Sequence, residues 1–202
     1  MRRAVLAAIL LCGIPPHLYA QRYSDSEVPR YEVGGQLSLS HFERVSSALG
    51  FGANFHYNFN EHFALDSQFT FGPASAAGNW SGGRSTFLTG VRAGRRVEDY
   101  GFFLHARGGI VHYIADNGAG PLFSRGTFPA FDVGGTLENY FGSFPDPRKK
   151  NMFVRLEVGA LIVPYGRATV TTPPPIGSPP PPTGPLGTRV GPVFGLGIGF
   201  RF

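Results

Sequence analysis

Gly191–Phe202 reads "GPVFGLGIGFRF". Phe194, Leu196, Ile198, Phe200 and Phe202 fall on one parity, and Gly195, Gly197, Gly199 and Arg201 on the other. Strict period two is the signature of a β-strand with two unlike faces, one apolar and one built from glycine and a single charge. The apolar parity runs out to Phe202 itself, so the fold depends on which medium covers that face.

The same alternation recurs upstream in "YEVGGQLSLS" (31–40), "LGFGANFHYNF" (49–59), "FALDSQFTF" (63–71) and "TFLTGVRAG" (86–94). It continues in "FFLHARGGI" (102–110), "AFDVGGTLENYF" (130–141) and "MFVRLEVGALI" (152–162), making eight runs with the last. In a soluble sandwich the polar parity meets water and carries Lys, Glu, Thr and Ser freely. Here that parity is mostly Gly with a few charges, set against Phe, Leu and Val. Such faces suit a barrel whose apolar side meets lipid and whose other side fills a narrow lumen. The predicted fold is therefore all-β, an eight-stranded antiparallel up-and-down transmembrane β-barrel. Eight strands nearly fill such a barrel with their own side chains, and closure leaves no unpaired edge in hydrocarbon. A soluble lipid-binding barrel of lipocalin type would require the apolar parity to point inward.

Composition agrees. Only 15% of residues are charged, against roughly 25% in a soluble domain, while 29 Gly and 19 Phe stand in their place. "MRRAVLAAILLCGIPPHLYA" has two arginines, an apolar run, Pro15 and Pro16, and a small residue at Ala20. It reads as a cleaved secretory signal over residues 1–20, followed by a short periplasmic lead over 21–29 and the barrel over 30–202. Removing Arg2 and Arg3 lowers the net charge from +5 to +3 (5 − 2), and the one basic block is Arg148-Lys149-Lys150, so a nucleic-acid partner has no footprint. The single cysteine, Cys12, lies in the signal, so no disulfide is expected in the mature chain.

Connections between runs two and three, four and five, and six and seven read as short to moderate. The others read as longer and rich in Gly, Ser and Pro, the last holding a proline-rich loop at about 166–187. Parity collects Glu32, Asp66, Asp132, Glu138 and Glu157 in the lumen, against Arg92, Arg107 and Arg155, with Arg189 beside them. Buried charges persist only when paired, so each of those three arginines is expected within reach of a carboxylate, in an ion-pair filling rather than a gated ion path. Tyr31, Tyr57, Phe59, Phe63, Phe102, Tyr113, Phe141, Tyr165 and Phe202 read as girdles at the two interfaces. His56 and His105 face the lumen by parity. His112 faces outward near a rim without a strand-borne Ser and acid beside it, so no catalytic site is expected, and no metal or cofactor either. Trp80, in "AAGNWSGGRS", reads as the anchor of a loop.

The terminal "GLGIGFRF" carries a resemblance. With the signal and seven earlier strands, the chain resembles the small eight-stranded outer-membrane barrels, the OmpA-like transmembrane domain and the OmpX-like proteins, from about Arg30 to Phe202. The resemblance implies that Gly197, Phe200 and Phe202 form a C-terminal signal read by the barrel-insertion machinery, although Gly195 stands where that group more often has a polar residue. It further implies a Gram-negative-type outer membrane with both termini in the periplasm; unlike full-length OmpA proteins, no peptidoglycan-binding domain is expected after the barrel. The implied partners are membrane lipid, lipopolysaccharide and periplasmic chaperones, the implied state a monomer, and the implied role structural or one of surface contact, with a narrow low-conductance pore and, behind it, a lipid-A-modifying barrel enzyme as the alternative readings.

Overall fold

The computed structural model describes residues 28–42, 45–76, 80–97, 99–115, 121–142, 150–171 and 184–202. The expected signal, most of the lead, Arg148-Lys149 and the middle of the proline-rich loop lie outside them. Eight strands occur among the described residues: β1 (Tyr31–Phe42), β2 (Ser46–Asn58), β3 (Phe63–Ala76), β4 (Trp80–Val97), β5 (Tyr100–Ala115), β6 (Thr127–Phe141), β7 (Met152–Gly166) and β8 (Gly187–Arg201). Each pairs antiparallel with the next, and β1 pairs with β8 from Glu32↔Arg201 to Ser40↔Val193, which closes the barrel. Two backbone bonds of 2.9 Å between Tyr31 and Phe202 fasten the seam at the end that carries both termini.

Period two in the sequence becomes inside and outside in the barrel. In β1 every second residue is buried, beginning with Glu32, and the alternate residues are exposed. The apolar parity points outward: Leu104 is 73% exposed and Phe51 53% exposed. That is the reverse of a soluble lipid-binding barrel, and it presents a continuous apolar exterior to lipid. At the terminal end Tyr31 meets Tyr57 and Phe202, with ring centroids 5.4 and 6.0 Å apart, and Tyr57 meets Phe59 at 5.3 Å, forming part of an aromatic belt.

Two of the connections expected to be long are short. Only residues 43–45 separate β1 from β2, and only 77–79 separate β3 from β4. The stretch expected as a loop around Trp80 is a hairpin extension, paired from Pro73↔Gly83 to Ala76↔Trp80. Gly and Ser have weak strand preference by themselves, but once Phe69↔Phe87 fixes the register, each added pair satisfies its backbone groups across the ladder. Loop length at the far end is therefore concentrated in 116–126 and 167–186. The β6–β7 connection, 142–151, gives the terminal end one longer turn.

Glycine makes the tight curvature possible. An ideal Cβ on lumen-facing Gly52 would overlap the carbonyl oxygen of Phe69, and one on Gly90 that of Ala106. Neighbouring strands of so narrow a barrel come too close at these points for any side chain. Gly90→Val is expected to abolish the heat-modifiable band of the protein refolded into detergent micelles, whereas the adjacent lipid-facing Val91→Ala leaves the folded fraction unchanged. Gel mobility before and after boiling reads both.

Candidate functional site

The lumen is layered, and the layer at the terminal end is ionic. Arg92, on β4, points inward between β1 and β6, where its guanidinium pairs with Glu32 and, at 2.5 Å, with Glu138. Arg96, four residues further along the same face of β4, reaches Glu32 at 3.0 Å and Asn58 at 2.8 Å. Both arginines lie over the Phe103 ring, their guanidinium carbons 4.5 and 4.8 Å from its centroid. Tyr140 donates to Glu138 at 2.8 Å, and Arg201 stacks on Tyr140 while approaching Glu32 at 3.3 Å. Every member is buried.

A second ionic layer follows. Arg155, on β7, donates to Glu157 at 2.8 Å and to Asp66 at 3.3 Å, and also contacts His56. Arg107, on β5, donates through Nε to Asp132 at 2.9 Å and pairs with Glu157. His56 joins the layers, with Nδ1 3.3 Å from Glu32 and Nε2 3.2 Å from Asp66. His105 approaches Asp132 at 3.1 Å and Thr136 at 3.2 Å. The structure thus brings Glu32, Asp66, Arg92, Arg107, Asp132, Glu138, Arg155 and Glu157 into one connected system. Two of its triads, Glu32–His56–Glu138 and His105–Asp132–Glu157, have ligand atoms within 4.8 Å of one another, a spacing a cation could use. In each, however, a guanidinium already bridges the carboxylates: Arg92 in the first and Arg107 in the second.

Toward the far end the filling turns apolar. Phe42, Val111, Tyr113, Phe128, Leu161, Val163 and Tyr165 are buried inside the barrel. Leu122 and Phe123 reach in from the β5–β6 connection, and Ala168 and Leu186 from β7–β8. The two connections bond to each other across the mouth: Phe123 bridges Val170, and Thr171 N–H donates to the Leu122 carbonyl at 2.9 Å. Tyr165 packs on Phe128 at 4.7 Å and on Phe123 at 5.2 Å. Its hydroxyl lies 2.6 Å from that of Tyr113, which in turn reaches Ser46 at 3.1 Å.

This plug corrects the girdle reading for Tyr113 and Tyr165, which face inward. Parity contained the answer, since Tyr113 continues the His105, Arg107 series and Tyr165 the Arg155, Glu157 series; proximity to a strand end was the weaker criterion. Arg96 and Arg201 share lumen parity in the same way and complete the terminal layer. Gly197 faces the lumen, while Phe200 and Phe202 are exposed on the outer face. Arg189 is half-buried on lumen parity at the start of β8. His112 is exposed and bonds Thr127 at 2.7 Å, and at the same rim His41 bonds Ser47 at 2.7 Å. Neither has a carboxylate hydrogen-bonded to its ring among the described residues, so neither forms a Ser-His-acid array.

A sequence profile described as "Outer membrane protein beta-barrel domain" matches residues 4–160. No curated protein matches the sequence. Among solved structures, Neisserial surface protein A aligns at a TM-score of 0.51 with 16% identity, over 85% of this chain and 96% of that one. The N-terminal β-barrel domain of Pseudomonas aeruginosa OprF aligns at 0.44 with 14% identity, over 85% and 97%. Ail, the attachment invasion locus protein of Yersinia pestis, aligns at 0.43 with 14% identity, over 85% and 96%. At 16% identity the likeness to Neisserial surface protein A is one of fold alone.

Removing one member of a buried ion pair leaves its partner uncompensated, at roughly 3–5 kcal/mol. Arg92→Met is expected to lower unfolding stability in urea by about that amount. Adding Glu138→Gln, whose one ion-pair partner among the described residues is Arg92, should recover part of the loss, a pattern that equilibrium unfolding of the refolded variants in micelles would reveal.

Proposed function

The chain belongs to the outer membrane protein beta-barrel domain family, and from that premise we propose that it is an integral barrel of a Gram-negative-type outer membrane, closed to ions, with a structural or surface-contact role. One observation carries this reading: side chains fill the interior at both ends, as arginine–carboxylate layers at the terminal end and as the aromatic plug at the other. A conducting path needs continuous water, and side chains occupy the place where that water would run.

The same reading orients the molecule. Termini and the turns 59–62 and 98–99 lie in the periplasm, and the lidded mouth faces outward, as in other barrels with short periplasmic turns. β4, at 18 residues, exceeds the roughly 9–11 residues a tilted strand needs to cross hydrocarbon, so the far end of the barrel stands above the membrane. Arg125 and Arg167 are exposed on the connections there, placed to meet lipopolysaccharide phosphates. Gly197, Phe200 and Phe202 serve as the signal for the insertion machinery. Phe200 and Phe202, 58% and 67% exposed, present the accessible aromatic pair that such recognition requires.

Expression with the native signal should leave the protein in carbonate-washed outer membranes with a mobility shift on boiling. Purified protein should carry no steady current in a planar bilayer; a sustained open level would overturn the closed-lumen reading. Phe202→Ala is expected to lower the assembled fraction in cells several-fold while leaving stability after refolding in micelles unchanged. Equal loss in both settings would make Phe202 merely structural.

A further inference from the structure

Between the ionic layers and the aromatic plug lies a small polar cavity. Ser38, Ser40, Gln68, Thr70, Arg84 and Thr86 supply most of its polar lining, and Leu88, Leu161 and Val193 its apolar walls. It has room for about one water-sized occupant. Arg107 and Asp132 lie at its ionic end, already paired with each other at 2.9 Å.

Among the buried arginines described, Arg84 is the exception to the pairing rule. It is 7% exposed, yet no carboxylate lies within ion-pair distance of it among the described residues. Among the described residues its one hydrogen-bond partner is the Ser40 hydroxyl and Nη1 has none, while its guanidinium carbon sits 6.0 Å from the Phe42 ring. The buried charge shows the same imbalance. Five buried carboxylates (Glu32, Asp66, Asp132, Glu138, Glu157) face six buried guanidiniums (Arg84, Arg92, Arg96, Arg107, Arg155, Arg201), leaving 6 − 5 = +1 with His56 and His105 neutral. Protonating either histidine enlarges the excess, and half-buried Arg189 adds to it. A buried cation in apolar surroundings requires a counter-charge.

We propose that this cavity binds a small monatomic anion, chloride under physiological conditions, with Arg84 as its principal ligand. Thr86 stands two residues along the same face of β4, and Thr70 pairs directly with it across the ladder. The Thr86 hydroxyl is buried without a partner and free to donate. Gln68 has an unpartnered amide oxygen, and turning the amide over would present its N–H₂ to the ion instead. Asp132 Oδ1, also without a hydrogen-bond partner, repels an anion at the ionic end, so the site lies at the Arg84 end, beside Ser40 and Thr86. The size of the cavity excludes sulfate, phosphate and carboxylate ligands.

The test is refolding from urea into micelles with sodium chloride, sodium bromide or sodium gluconate at equal ionic strength. The wild type should unfold at higher urea in the two halides than in gluconate, and Arg84→Met should lose that difference, which separates site occupancy from general salt effects. Crystals of wild type refolded in bromide should show an anomalous peak in contact with Arg84 Nη1. Equal stability in halide and gluconate, or the same halide shift in the variant, would overturn the proposal. Should Arg84→Met fail to fold, the bromide map of the wild type decides alone: a peak at Arg84 supports the site, and a map without one refutes it.

Discussion

Everything in this barrel depends on the hydrogen bonds between β1 and β8. In hydrocarbon an unpaired peptide group costs several kcal/mol, so the sheet has to close on itself, and with eight strands it closes around very little space. Lumen-facing glycines such as Gly52 and Gly90 are what closure demands of the backbone, since a side chain there would strike the neighbouring strand. The charged lumen follows from the same geometry. With the apolar parity committed to lipid, the inward parity has to fill a narrow core with groups that satisfy one another. Arginine's planar fork does so well, because one guanidinium can hold two carboxylates from different strands, as Arg92 holds Glu32 and Glu138.

The face of each strand was legible because a one-residue slip would reverse every side chain, leaving no intermediate reading. Glu32, Arg92 and Arg155 could be placed inside from spacing alone. What spacing withheld was contact: that Arg107 bridges Asp132 and Glu157, or that His56 spans two layers, depends on strand stagger, which no single strand encodes. The errors have physical causes too. Composition suggested a loop around Trp80, but pairing across a hairpin overrides the weak preference of Gly and Ser. Tyr113 and Tyr165 lie close to strand ends, where a girdle is expected, yet their parity puts them inside.

The two halves of the lumen solve the filling problem by opposite means. Ion pairs are directional and fix which strands meet, whereas the aromatic plug packs rings edge to face and tolerates repacking. Their junction, where a directional network gives way to an apolar one, is where a polar group is hardest to satisfy. Arg84 stands at that junction.

The lid over the mouth has a consequence for the chain that leaves it. Leu186 N–H bonds the Ala168 carbonyl at 3.1 Å, and Thr171 is tied to Leu122, so both feet of the β7–β8 connection are pinned to the barrel. A segment held at both feet bears extra length at little cost, since each doubling of a flexible loop adds only about 0.6 kcal/mol of closure entropy. Foreign epitopes or tags spliced between residues 172 and 183 would leave the seal beneath them intact, which makes this position a natural graft point for display on a cell surface.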